Sequence, residues 1–384
     1  MLPLPTAALA LDDGTVFYGD GFGATGQVQG EVCFTTAMTG YQESLSDLSY
    51  AEQIVTFASP HMGNVGVNLE DEEAPKPAVR GTIMRATCSA HSNWRASEDL
   101  DRWLKRHNIV AMSGADTRAV VIKIREEGAR KGCLAFAPEG IRDADSLVDQ
   151  ARAWPGLLGR DLARAVGTAK TFTWQEASWD AARWHPPHRD PKIAPSDKPH
   201  VVALDFGIKR NLLRCLVDAQ CQVTVVPPTT SAQDILAHQP DGIFLSNGPG
   251  DPAAVARYTT PVLQALMDRK LPVFGVCLGY QLLAQALGAK TRKMPFGHRG
   301  ANHPVQRLDD KRVEITSQNH GFTIDTENLP KAFVATHQSL FDGTNEGFQH
   351  ADAPVFAVQF HPEACPGPHD SRDLFRRFAA MMRA

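Results

Sequence analysis

Long apolar runs are missing from this chain of 384 residues, and no stretch reaches the length that crosses a membrane. The opening residues, MLPLPTAALALDDG, carry no basic start, and their short apolar stretch runs into acidic residues where a leader's cleavage site would stand. A cytoplasmic protein without a membrane partner is the expectation. Charge of one sign is also scarce: the net charge is -4 and the sequence pI about 6.4, which gives no general attraction to nucleic acid or anionic lipid. A partner therefore has to be recognised by shape. Close cysteine pairs are absent, since the seven cysteines stand at 33, 88, 133, 215, 221, 277 and 365 with no Cys-x-x-Cys spacing, and reduced thiols fit better than disulfides. No Walker A motif occurs. Asp205-Phe206-Gly207 lacks the glycine-rich loop and His-Arg-Asp segment that would make it a kinase element, so nothing here binds ATP. Internal repeats and low-complexity stretches are missing as well.

What is present is an ordinary globular composition, 43% hydrophobic and 21% charged, in a chain long enough for two domains with full cores. Residues 1–152 begin with short strand-like pieces, LALDDGTVFYGDGFG and EVCFTTAMTGYQE, whose turns are rich in Gly, Thr and Asp. SEDLDRWLKRHNIV then reads as helix and AVVIKIREEGARKGCLAF as a helix–strand passage, which together suggest a smaller α+β domain with a sizeable β component. Residues 153–199 hold Trp174, Trp179 and Trp184 amid Pro186, Pro187, Pro191, Pro195 and Pro199, with little apolar periodicity. They read as a linker packed along a domain surface, because so much aromatic area is seldom left in water. From 200 to 384 apolar strands alternate with helices: VVALDFG, KRNLLRCLVDA, CQVTVVP, DILAH, GIFLSNGPGDP, a helix over 253–268, LPVFGVC and YQLLAQALG. This is the pattern of an α/β domain whose parallel sheet is covered on both faces, with its site at the C-terminal strand ends. Cys277 and the turn from Asn247 to Asp251 fall on that rim.

LPVFGVCLGYQLLAQALG, residues 271–288, has the build of a nucleophile elbow with a thiol at its tip. Gly275 and Gly279 would supply backbone freedom for the sharp turn, and the following helix N-terminus would favour the thiolate. A lone cysteine in an apolar stretch is more often an inert core residue. His361 and Glu363, just past the apolar run VFAVQF, change that balance by completing a nucleophile, base and orienting carboxylate. The segment from Ser246 to Pro252 reads either as an ordinary turn or as a source of N–H donors to an oxyanion, with the N–H of Leu278 as the second donor. Gln281 shares a helix face with Cys277, where a solvated or capping role is the simplest reading. The polar cluster from Ser317 to Phe322 marks a loop or a rim that meets the α-amino acid end of a substrate. No metal site emerges: His361-x-Glu363 with Cys365 lacks the Pro-Cys-x-x-Cys of the zinc deaminases, and His185-Pro-Pro-His188 has no third ligand nearby.

With Gly-Val-Cys-Leu-Gly, Ser-Asn-Gly-Pro-Gly-Asp-Pro, Ser-Gln-Asn-His-Gly-Phe and Phe-His-Pro-Glu in this order, residues 200–384 resemble a class I (triad) glutamine amidotransferase domain. The first half narrows the resemblance. Met38-Thr39-Gly40-Tyr41-Gln42-Glu43, Ser49-Tyr50, the run from Pro60 to Gly66 and Lys105-Arg106-His107-Asn108-Ile109 look like the small-subunit family of carbamoyl phosphate synthetase, as do the runs Asp205–Asn211 and His298–Pro304. The resemblance implies Cys277 as nucleophile with His361 and Glu363 as partners, and L-glutamine held by Ser49, Gly248, Gly250, Leu278, Gln281, Asn319, Gly321 and Phe322. Ser49 would come from the other domain, which would place the site near the domain interface. It further implies hydrolysis of glutamine to glutamate and ammonia through a Cys277 thioester, with the oxyanion on the N–H groups of Gly250 and Leu278. Ammonia would pass through an internal tunnel to a large subunit that uses bicarbonate, ATP and Mg to make carbamoyl phosphate for arginine and pyrimidine biosynthesis. No cofactor is implied on this chain. Three positions depart from the family's usual residues: Leu48 for Pro, Tyr280 for His and Cys365 for Ser. Tyr280 is the departure to watch, because it neighbours the nucleophile, and Cys365 leaves a second thiol near the His-Pro-Glu segment; the sequence does not tell the effect of either. A stand-alone amidase or γ-glutamyl hydrolase and a regulatory subunit with a vestigial triad remain as alternatives at this point.

Overall fold

Alternation along the strands sets the architecture of both halves. In a computed structural model that describes residues 3–87, 90–179 and 198–383, the chain forms two compact units, Met1–Leu158 with Pro295–Gly300, and Gly159–Met294 with Ala301–Ala384. Cys88, Trp184, His185, His188 and the prolines at 186, 187, 191 and 195 lie outside the described residues.

The first unit is built on a closed barrel. Its strands run Ala7–Leu11, Val16–Gly23, Val110–Ser113, Gly81–Ile83, Gln53–Phe57, Gly26–Thr35 and Arg130–Phe136 around the circuit. The strand Ala7–Leu11 is buried on both faces. Ala7, Leu9 and Leu11 join one core cluster with Ile54, Ile83 and Met112, while Ala8 and Ala10 meet Leu147, Val148 and Ala151 of the helix Ala144–Ala153. Asp143 caps that helix by accepting the N–H of Ser146 at 3.0 Å. Residues 295–300 complete this unit although they come from the far half of the chain. Phe296 stacks on Phe34 with ring centroids 6.2 Å apart, and Thr36 N–H donates to the Arg299 carbonyl at 3.2 Å.

The second unit carries a ten-stranded sheet. Gln222–Val226, His200–Leu204, Gly242–Leu245, Val273–Val276 and Val355–Val358 lie side by side and parallel. Val201 and Ala203 enter one core cluster with Phe244, Phe274 and the helices Arg210–Asp218 and Asp373–Met381. Val202 and Leu204 enter another with Ile243, Leu245 and the helices Ala232–Ala237, Pro252–Met267 and Leu278–Ala286. Adjacent residues thus feed opposite faces, and helices cover both, as the run of apolar strands requires. Beyond Val355–Val358 the sheet continues antiparallel through Asn345–His350, Phe333–Ser339 and Thr291–Arg307. That extension was not expected; its strands are joined by turns instead of crossover helices, so their direction alternates.

The expected linker over 153–199 needs correction. From Gly159 onward it belongs to the second unit, with a short helix at Ala163–Val166 and an edge strand, Phe172–Trp174, antiparallel to Gln222–Val226. Trp174 packs against the Val201 cluster and spends its indole N–H on the Glu176 carbonyl at 2.7 Å. A three-residue strand is too short to show periodicity in sequence.

Candidate active site

Cys277 stands between the strand Val273–Val276 and the helix Leu278–Ala286, with φ 54° and ψ −102°. A non-glycine residue in that conformation is strained, and the strain lies on the thiol-bearing residue itself. The flanking glycines serve a different purpose from the freedom expected of them. A Cβ on Gly275 would lie 2.7 Å from Leu283 Cδ1, and one on Gly279 would lie 2.3 Å from the Leu245 carbonyl oxygen, so both are needed for close packing of helix on strand. Two hydrogen bonds then fix the elbow between its neighbours. Cys277 N–H donates to Val358 O at 2.9 Å, and Gly279 N–H to Ser246 O at 3.0 Å. The first tie leads to the strand that delivers His361, the second to the turn 246–251. Cys277 is buried, and its Sγ leans on the Asn319 carbonyl at 3.7 Å.

His361 follows the end of Val355–Val358, and its N–H bonds Ser317 O at 2.9 Å. Its Nδ1 meets Glu363 Oε1 at 2.7 Å, which directs the second ring nitrogen, Nε2, to accept a proton. Burial opposes charge on this imidazole, but Glu363 and the Cys277 thiol beside it outweigh burial and lift it to about 10. For Glu363, burial works against the carboxylate, and Lys209 and His361 override it and hold the group down at about 2. Lys209 carried no role in the sequence reading. It is fully enclosed, with Nζ 2.9 Å from Glu363 Oε1 and donating to Ala364 O at 2.8 Å. Asn211 Nδ2 adds a bond to the Glu363 carbonyl at 2.7 Å. The signal in sequence was a lysine just beyond an apolar strand end, and nothing local separates such a residue from a solvated one.

A family model described as glutamine amidotransferase class-I matches residues 202–381, and one described as carbamoyl-phosphate synthase small chain, CPSase domain, matches residues 9–134. A protein of Ruegeria pomeroyi named carbamoyl phosphate synthase small chain is 54% identical over 384 residues, covering 100% of this chain and 97% of its own. Proteins of the same name from Bradyrhizobium diazoefficiens and Caulobacter vibrioides are each 53% identical, covering 99% and 100% of this chain and 95% and 98% of theirs. The chain belongs to the carbamoyl phosphate synthase small-chain family.

Within that family frame the remaining expected residues can be placed. Gly248 adjoins Leu278: a Cβ there would sit 2.2 Å from Phe206 O and 2.9 Å from Leu278 Cδ2. Gly250, with φ +97°, instead faces Arg160 and Leu162. Leu278 is the first helical residue, where an N–H has no intrahelical acceptor. Gln281 is buried, not solvated, and its Nε2 is committed to Phe322 O and Gln359 Oε1, both at 2.9 Å. Asn319, Gly321 and Phe322 lie on the strand Val313–Ile324, which excludes the loop among the two readings of this cluster. Ser49 belongs to the first unit, on a 3-10 turn, Leu48–Tyr50, where its N–H is held by Asp47 Oδ1 at 2.9 Å.

Tyr280 points inward, away from the rim. It is fully buried, packed on Phe348 with ring centroids 5.6 Å apart, and its hydroxyl donates to Asn345 Oδ1 at 2.6 Å. Tyr280→Phe should therefore act on stability and not on catalysis. Loss of about 1 to 2 kcal/mol in denaturant unfolding, with kcat/KM for glutamine within about twofold of the parent, is the expected outcome. Cys365 is half-buried, just beyond Glu363.

Proposed function

We propose that this chain is the glutamine-hydrolysing subunit of a carbamoyl phosphate synthase. The observation that carries the reading is the strained Cys277 elbow held beside a buried His361–Glu363 pair, in a chain whose full-length relatives bear that name. The Cys277 thiolate attacks the side-chain amide carbon of L-glutamine, and the developing oxyanion is received by the Leu278 N–H together with an N–H of the Gly248–Gly250 turn. Protonated His361 gives its proton to the departing ammonia, which leaves a γ-glutamyl thioester on Cys277. It then takes a proton from the water that releases glutamate. Glu363 keeps the imidazole in the tautomer that both steps need. Gln281 Nε2, bonded to the Phe322 carbonyl, fixes the strand Asn319–Phe322 that lines the substrate.

Ammonia is then passed to a large subunit that consumes bicarbonate and ATP with Mg; no cofactor on this chain takes part in the proposal. A cytoplasmic location fits this role, and among the described residues no helix is long and apolar enough to cross a membrane. The test is acid quenching of the complex with the large subunit during glutamine turnover, followed by mass spectrometry of Cys277 peptides. A glutamyl adduct on Cys277 is expected. Steady turnover with no adduct on Cys277, or with the adduct on Cys365, would overturn the assignment.

A further inference from the structure

The segment 159–168, expected as part of a linker packed along a domain surface, is clasped at both ends by buried carboxylates that the mechanism does not use. Gly159 gives its N–H to Asp251 Oδ2 at 2.8 Å, and Asp251 gives its own N–H to Arg160 O at 3.0 Å. At the other end Thr168 N–H goes to Asp205 Oδ2 at 2.8 Å. Asp205 is 6% exposed and Asp251 9%. In each case the second oxygen holds a turn of the rim: Asp251 Oδ1 accepts from Ala253 N–H at 2.9 Å, and Asp205 Oδ1 from the N–H groups of Gly207 and Ile208, both at 2.8 Å. Between the clasps the segment's backbone presses on the glycine turn. A Cβ on Gly250 would lie 2.8 Å from Arg160 O and 2.9 Å from Leu162 N, and a Cβ on Gly167 would lie 2.3 Å from Asp205 O. Gly159, where the chain enters the second unit, has φ +74° and an open side.

We propose that Asp251 and Asp205 are positioning residues, and that by clasping residues 159–168 across the rim they set where the Gly248–Gly250 turn presents its N–H groups to glutamine. The inference rests on the glutaminase reading above. An oxyanion donor matters most when charge develops on the substrate oxygen, so a turn displaced by a few tenths of an ångström weakens the transition state more than the bound ground state. The clasp thus acts on kcat.

Asparagine isolates the effect, because its one carbonyl oxygen can keep the turn bonds while its amide NH2 is set against the N–H of Gly159 or Thr168. Asp251→Asn, Asp205→Asn and the double variant are assayed in the complex with the large subunit. Each single change should lower kcat for glutamine about tenfold with KM moved less than about twofold, and ammonia-dependent synthesis should stay at the parent level. The double variant should be little worse than the weaker single, since both carboxylates act through one segment. Should Asp251→Asn fail to fold, Asp205→Asn carries the same test. A kcat within about twofold of the parent, equal losses in kcat and 1/KM, or independent multiplying losses would each overturn the clasp while leaving the glutaminase reading intact. An unsubstituted complex without glutaminase activity would overturn that reading and the clasp with it.

Discussion

Cys277→Ala, assayed in the complex with the large subunit, should lose glutamine-dependent carbamoyl phosphate synthesis by about 10⁴-fold or more while ammonia-dependent synthesis stays at the parent rate. The magnitude follows from removing the sulfur on which the proposed thioester forms. Alanine adopts φ 54° with about the same strain as cysteine, so the elbow has no new reason to move. The ties from Cys277 N–H to Val358 O and from Gly279 N–H to Ser246 O use backbone atoms and survive the change. Loss of glutamine use therefore reports the sulfur and not the fold. Cys277→Gly sharpens the point, since glycine accepts this conformation without cost. It should be as inactive as Cys277→Ala and more stable by about 1 kcal/mol, which would show strain kept for the sake of the thiol. The measurement is the ratio of glutamine-supported to ammonia-supported rates. Retention of glutamine use in Cys277→Ala would move the nucleophile elsewhere, with Cys365 the thiol to examine next.

The grouping of Cys277 with the His361–Glu363 pair was legible because each follows an apolar strand in a short motif, and parallel strands of an α/β domain present such ends on one rim. The five parallel strands were legible for the same reason. What escaped was whatever depends on distant backbone. The role of Lys209 exists only because Glu363, far along the chain, folds back onto it. Tyr280 is one residue from a rim position on a helix, and only the opposing Phe348 and Asn345 show that it points inward. Gly275 and Gly279 carried the right letters for the wrong reason, because sequence shows a missing side chain but not the atom that would have struck it. The segment 159–174 lacked periodicity, and its place depends on Asp205 and Asp251, whose motif gave no hint of a second partner. Residues 295–300 belong to the first unit although the chain has already left it.

Lys209→Met carries the second large effect, on both rate and acid stability. Methionine keeps the length of the side chain and removes the charge and donors that reach Glu363 Oε1 at 2.9 Å and Ala364 O at 2.8 Å. Glu363 then loses one of the two groups that oppose its burial, and its hold on His361 Nδ1 weakens. A shift of the imidazole by a fraction of an ångström misplaces Nε2 for both proton transfers, and kcat for glutamine should fall on the order of 100-fold with a smaller change in KM. Breaking a buried pair also costs about 3 kcal/mol of unfolding free energy at neutral pH. The pH dependence tells this apart from a packing defect. Glu363 is held below its ordinary 4.5, so its contribution to stability is complete above pH 4.5 and is lost as pH falls through about 2. His361 is raised above 6.5, so its contribution is complete below pH 6.5 and is lost as pH rises through about 10. In Lys209→Met the Glu363 carboxyl moves up toward 4.5, and the rise of stability with pH between about 2 and 4.5 should flatten. Denaturant titrations across that window measure the slope directly. A variant that is slower yet keeps the parent's slope would mean that Lys209 supports the turn after Glu363 through Ala364, and that the carboxylate owes its ionisation to His361 alone.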